Sequence, residues 1–143
     1  MQLESVAEFS VSVGNEGASP KGLGDFASRE VERTRRFAYP TGTIPGVGRI
    51  EDMRLFVTYD AAGNASCRID YVEVVEKLHI VSGSTRIGLL DVNSKIIIDW
   101  EHPLFRECGR HARSFSGAIT RDIAEAVTGL HFRTVGNAQG RRC

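Results

Sequence analysis

The chain has no long apolar run. Nothing in its 143 residues approaches the roughly 20 consecutive apolar residues of a membrane span, so no membrane partner is expected. The opening stretch, MQLESVAEF, has neither a basic region nor an apolar one, and no secretory leader is expected from it. Cysteine is scarce: Cys67, Cys108 and Cys143 do not make an even disulfide framework. Cys143 sits in a basic tail and keeps two readings, an unpaired thiol or a cross-link between neighbouring molecules in an oxidising medium. The four histidines, His79, His102, His111 and His131, form no H-x-x-x-H and pair with no CxxC, so zinc-ligand spacing is absent and neither metal nor cofactor is expected. Cys108 and His111 lie three apart without an orienting group, and Asp99 and Glu101 read as polar positions at a strand end. No catalytic residue follows from either pair, and an enzyme is not expected. Formal net charge is zero, which excludes a global field for nucleic acid.

Lysine is nearly missing too, and that absence turns into a positive feature. Fifteen of the eighteen basic residues are arginine, whose planar fork bonds two phosphate oxygens at once. They cluster at Arg29, Arg33, Arg35 and Arg36, at Arg106, Arg110 and Arg113, and at Arg141 and Arg142. A local basic face or an ordinary solvated surface both fit this pattern.

Residues 49–103 read as consecutive strands. In RIEDMRLFVTYD, Met53, Leu55, Val57 and Tyr59 alternate with Arg54, Phe56 and Thr58, one set on each face of a pleated strand. Gly63 and Asn64 mark a turn, SCRIDYVEVVEKLHI is rich in β-branched residues, and SKIIIDW ends at Glu101-His102-Pro103. An antiparallel meander is the simplest topology. Before it, residues 5–13 alternate as a half-buried strand, GNEG reads as a turn, and Phe26 returns to the core. Residues 27–39 fit helix and extended chain equally, and 40–48 read as a loop. After it, Phe115, Ile119, Ile123, Val127 and Leu130 recur at three- and four-residue spacing, the apolar face of a helix. One sheet under one helix leaves a bare sheet face, so an obligate homodimer is expected, the helix of one chain on the sheet of the other.

This order resembles the coat proteins of single-stranded RNA bacteriophages, the levivirus type. AEFSVSVGNEG is similar to the first hairpin strand of that family and its turn. RLFVTYDAAGNASCRIDYVEVVEK is similar to its central hairpin, and SFSGAITRDIAEAVTGLHF to its helical region. The resemblance implies an α+β fold in a single domain over 1–143: an N-terminal β-hairpin (1–26), an antiparallel sheet (27–103), a C-terminal helical region that packs on the partner's sheet (104–134) and a tail (135–143). It implies a structural coat protein that dimerises, closes into an icosahedral shell around genomic RNA and binds an RNA hairpin as repressor, found in the virion and assembled in the host bacterial cytoplasm. HIVSGSTRIGLLDVN sits at the family's long loop, which makes Ser82, Gly83, Ser84, Thr85 and Arg86 inter-subunit contacts. Strand alternation combined with the implied inner face makes Arg54, Phe56, Thr58, Arg68 and Lys95 the RNA-contact candidates, with Asp70 and Asp99 opposing phosphate on the same face. A one-residue register shift would exchange the faces. The competing reading is a small α+β enzyme or ligand-binding domain with a pocket between sheet and helix, His102 and Asp99 at its mouth.

Overall fold

A computed structural model describes residues 7–11, 15–16 and 33–143. Two antiparallel sheets share one core. The strands are β1 (Ala7–Val11), β2 (Asn15–Glu16), β3 (Arg33–Ala38), β4 (Gly42–Ile44), β5 (Gly48–Tyr59), β6 (Ala65–Val75), β7 (Leu78–Leu90), β8 (Ile96–Glu101), β9 (Gly109–Ile119) and β10 (Gly129–Arg142). Among the described residues one short helix, α1 (Arg121–Ala126), lies between β9 and β10. The larger sheet runs β2-β3-β5-β6-β9, with β4 also paired to β5; the smaller runs β1-β10-β7-β8. The expected turn residues 14 and 17, the returning Phe26 and the ambiguous stretch 27–32 lie outside the described residues; 33–38 is extended, as β3.

The architecture is a β-sandwich, which corrects the α+β expectation: the described residues are mostly antiparallel strand, with one short helix among them. Residues 104–134 hold β9, the six-residue α1 and the start of β10 in place of a helical region, and 135–142 complete β10 in place of a tail. The expected helix face is dispersed. Phe115 and Ile119 lie on β9, Ile123 on α1, Val127 caps its end, and Leu130 lies on β10. The physical reason is a coincidence of periods, because a four-residue spacing is also a multiple of two. On β9 the inward set is His111, Arg113, Phe115, Gly117 and Ile119, alternating with exposed positions. Ser114, Ser116 and Gly117 are poor helix formers. Gly117 also lets Trp100 of β8 approach so closely that an added Cβ would stand 2.8 Å from the indole. Gly117→Ala is therefore expected to cost about 1–3 kcal/mol through overpacking. A lowered denaturation midpoint, with altered emission from Trp100, the only tryptophan, would register it.

The N-terminal strand does not form a hairpin with its neighbour. β1 pairs with β10 from Ala7↔Thr134 to Val11↔Leu130, while β2 pairs with β3. The expected loop conformation is also corrected: Ser82, Gly83, Ser84, Thr85 and Arg86 lie within β7, where Ser84, Thr85 and Arg86 pair in register with Val135, Thr134 and Arg133 of β10. Gly83 takes a positive φ of 117°, and the β7–β10 register shifts beside it, between Val135 and Gln139. A glycine read as part of a long loop is thus absorbed by a bulge within a long strand.

β5 obeys its own pattern with one interruption. Ile50 and Met53 are both buried although three residues apart, because Asp52, at φ 51°, sits in a bulge that resets the alternation. From Met53 onward, Met53, Leu55 and Val57 point inward against Cys67, Ile69 and Tyr71 of β6. The inner face of the smaller sheet supplies Ile80, Ile87, Leu89, Leu130 and Phe132. Tyr71 meets Phe132 edge-on at 6.0 Å between the sheets, and Phe9 stacks on Phe132 at 5.1 Å. The sheet face whose bareness called for a partner's helix is thus covered within the chain by a second sheet.

Candidate nucleic-acid interface

With the inner face of the larger sheet occupied by core, the outer face carries the alternate residues. The pairing register arranges these in rows across β3, β5, β6 and β9. One row is Thr34, Thr58, Ser66 and Ala118; the next is Arg36, Phe56, Arg68 and Ser116; the third is Ala38, Arg54, Asp70 and Ser114. Seven of these side chains, from Thr34 and Arg36 to Phe56, Thr58, Ser66, Arg68 and Ser116, line a shallow hollow of about 380 Å³ above Cys67. Its floor is the half-buried Phe56 ring, with the Arg68 guanidinium 4.5 Å from the ring centroid. Cys67 is buried beneath, and desolvation pushes its thiol up to about 11, so it stays protonated and inert at neutral pH.

Charge on these rows is predominantly positive. Arg36, Arg54 and Arg68 face one acid, Asp70, which accepts a hydrogen bond from Ser114 Oγ at 2.8 Å and lies 3.3 Å from the Arg68 Nε. Both partners of that ion pair are substantially exposed, so its hold on Arg68 is weak and screened by salt. The structure therefore brings Arg54, Phe56, Thr58 and Arg68 onto one face. It leaves Lys95 apart, in the turn between β7 and β8 of the other sheet, where its backbone N–H donates to Asp91 Oδ1. Asp99, expected to oppose phosphate on the same face, also lies on the other sheet, 3.5 Å from Arg86. Sequence reading missed Arg36 and Thr34, whose segment was ambiguous between helix and strand. The signal was available in the alternation of Arg36 with buried Phe37.

A second polar cluster is built where β8 turns toward β9. Glu73 is fully buried on β6, and its Oε2 accepts the backbone N–H of Phe105 at 2.7 Å. Its Oε1 has no hydrogen-bond donor and faces Arg113 at 3.7 Å. Burial pushes the carboxyl above the usual carboxylate range, against the Phe105 N–H and the Arg113 charge, which both pull it down. Next to it the Tyr71 hydroxyl and His102 Nε2 are 2.9 Å apart; burial raises the phenol and lowers the imidazole, so both are neutral at pH 7. Thr85 Oγ1 accepts the Leu104 N–H and donates to the His102 carbonyl. These groups tie the connection 102–105 to β6 and β7, and Leu104 and Phe105 are plugged into the core. His102 is thus engaged in holding the corner, while Asp99 is paired with Arg86, and α1 is too short to roof a pocket at their side.

At the same end of β6, beside Val75, two of the three cysteines are joined. Cys108 and Cys143 form a disulfide within the chain, replacing both earlier readings of Cys143, with His79 Nδ1 3.1 Å from the Cys108 sulfur. Comparison with known protein families, with curated proteins and with solved structures finds no match for the chain.

Proposed function

We propose that this chain is a binding protein for single-stranded nucleic acid, RNA above all, and that the outer face of the larger sheet is its contact surface. The observation that carries the reading is the row Arg36-Phe56-Arg68-Ser116, an aromatic ring between two guanidinium groups in an open hollow bordered by hydroxyls. A half-buried aromatic on a sheet offers its ring to an unpaired base once the Arg68 guanidinium swings aside, and flanking arginines take phosphate oxygens. Thr58, Ser66 and Ser116 add hydrogen-bonding capacity for sugar and base edges. The face is too flat for a buried substrate, and its groups lack a nucleophile beside a base. A coat role, with self-association, shell closure and a place in the virion, draws on the sequence resemblance alone, and the helical region on which that resemblance leaned is absent.

The test is fluorescence anisotropy with a labelled oligo(U) strand at several salt concentrations. Binding that weakens as salt rises is expected. Arg36→Ala with Arg68→Ala should flatten the log–log salt slope by about 1.4, from roughly 0.7 per phosphate contact on single strands. Phe56→Ala should weaken binding by one base-stacking contribution, about 1–3 kcal/mol. Arg106→Ala, on the connection between the sheets, serves as the control. An oligo(U) affinity that the three substitutions leave unchanged would reject this surface.

A further inference from the structure

Strand register brings three soft or borderline ligands together that are remote in sequence. β10 runs antiparallel to β7 as far as Arg141↔His79 and Arg142↔Leu78. The next residue is Cys143, whose N–H donates to the Lys77 carbonyl at 3.1 Å. On the other sheet, β9 begins opposite the end of β6, at Gly109↔Val75, and Cys108 immediately precedes it. The short β6–β7 connection, residues 76–77, joins the two sheets at this point, so His79, Cys108 and Cys143 converge on one spot. Their donor atoms, His79 Nδ1 and the two sulfurs, all lie within 4.8 Å of one another. His79 and Cys108 are half-buried and Cys143 is exposed, so the cluster is open to solvent. Its backbone is anchored independently of the sulfur–sulfur bond, by the Cys143 N–H and by His111 Nε2 at 3.0 Å from the Cys108 carbonyl.

We propose that His79, Cys108 and Cys143 form, when the disulfide is reduced, a binding site for a thiophilic divalent cation, with Zn²⁺ the chemically matched ion. Two thiolates and an imidazole suit zinc, at Zn–S near 2.3 Å and Zn–N near 2.0–2.1 Å. A tetrahedral centre with those bond lengths sets its donors about 3.5–3.8 Å apart. His79 Nδ1 already lies 3.1 Å from the Cys108 sulfur, and the Cα atoms of the two cysteines are 5.6 Å apart. Side-chain rotation of the freed cysteines separates the sulfurs to the required spacing while the paired strands stay in place. Three protein ligands leave one position for water or an external ligand on the exposed side.

The chemistry balances with a thiol reductant. Two RSH molecules pass two electrons and two protons to the disulfide, giving RSSR and two cysteine thiols. Zn²⁺ then displaces both thiol protons and accepts the Nδ1 lone pair, with the imidazole proton on Nε2. In the reverse exchange RSSR takes two electrons from the thiolates and two protons from solvent to give two RSH, the disulfide re-forms and Zn²⁺ is expelled, so oxidation and metal occupancy exclude each other. A bare structural disulfide has no need of an imidazole nitrogen at its sulfur, and that contact is what favours a ligand set over a staple alone.

Co²⁺ provides the spectroscopic probe and Zn²⁺ the competitor. The reduced full chain is expected to take up one Co²⁺ with a thiolate-to-cobalt charge-transfer band, to lose it to Zn²⁺, and to release two protons per Zn²⁺ bound. The oxidised chain should show none of this. His79→Ala, compared in its folded oxidised form for integrity, should weaken Co²⁺ binding at least tenfold after reduction. In the unmutated reduced chain, Zn²⁺ should slow alkylation of Cys108 and Cys143 at least tenfold, with buried Cys67 as internal control. A reduced chain that shows neither the cobalt band nor zinc protection, or a His79→Ala chain that binds as tightly as the parent, overturns the site. The hollow around Arg68 lies about seven residues along β6 from Val75, roughly 23 Å away, so oligo(U) binding should not respond to Zn²⁺.

Discussion

Phe132→Ala should lower folding stability by about 3–5 kcal/mol, the range for removing a large aromatic from a packed core. Phe132 lies on β10, an interior strand of the smaller sheet, and has no exposed surface. Its ring is held by Phe9 of β1 at 5.1 Å and by Tyr71 of β6 at 6.0 Å. The lost side chain thus removes one contact within its sheet and one between sheets. Neighbours anchored on paired strands have little freedom to collapse into the space. Phe56→Ala is the matched comparison, because the same side chain is deleted from a half-buried position on the outer face. It should change stability by about 1 kcal/mol or less while weakening nucleic-acid binding. Chemical denaturation of both variants checks the pair. Equal losses would mean that the two sheets do not share the core described.

The contrast between these phenylalanines also shows where sequence reading succeeds. Met53, Leu55 and Val57 alternate with Arg54, Phe56 and Thr58 so regularly that the two faces of β5 are legible without coordinates, and Arg68 follows by the same rule on β6. The rule fails wherever a spacing satisfies two periods. Phe115, Ile119, Ile123 and Val127 are four apart, which a helix and a strand both allow, and only Gly117 and its serine neighbours argued for the strand. It fails again at Gly83, where a residue type common in turns marks a bulge, and at Asp52, whose bulge no composition announces. The metal-ligand cluster was beyond reach for a different reason. His79 and Cys108 are 29 residues apart and Cys108 and Cys143 are 35 apart, so their meeting depends on which strands pair across two sheets. Short-range spacing detects ligands on one turn or hairpin and is blind to ligands assembled by sheet order.

Glu73 offers the second large effect, and its sign depends on pH. Two contributions oppose each other there. The carboxylate oxygen satisfies the buried Phe105 N–H, and leaving such a donor unpaired costs about 1–3 kcal/mol. Ionising the carboxyl inside the core is unfavourable, and its folded pKa is raised above the ordinary 4.5. A raised folded pKa contributes stability that is complete below the unfolded value and is lost as pH climbs through the folded one. Each unit of elevation is worth about 1.4 kcal/mol. Glu73→Gln keeps an acceptor for Phe105 and removes the ionisation. It should match the parent near pH 4, where Glu73 is protonated in both states, and become the more stable protein as pH rises toward 8. Glu73→Ala removes the acceptor as well, frees the 102–105 corner and opens a cavity, so it should be less stable than Glu73→Gln at every pH. Denaturant midpoints of the three proteins across pH 4–8 decide the matter. If the parent gained on Glu73→Gln with rising pH, attraction to Arg113, 3.7 Å away, would outweigh desolvation and Glu73 would be a stabilising anion. The expected order instead makes Glu73 an acceptor that anchors the corner through Phe105 while its burial as an anion costs stability under neutral conditions.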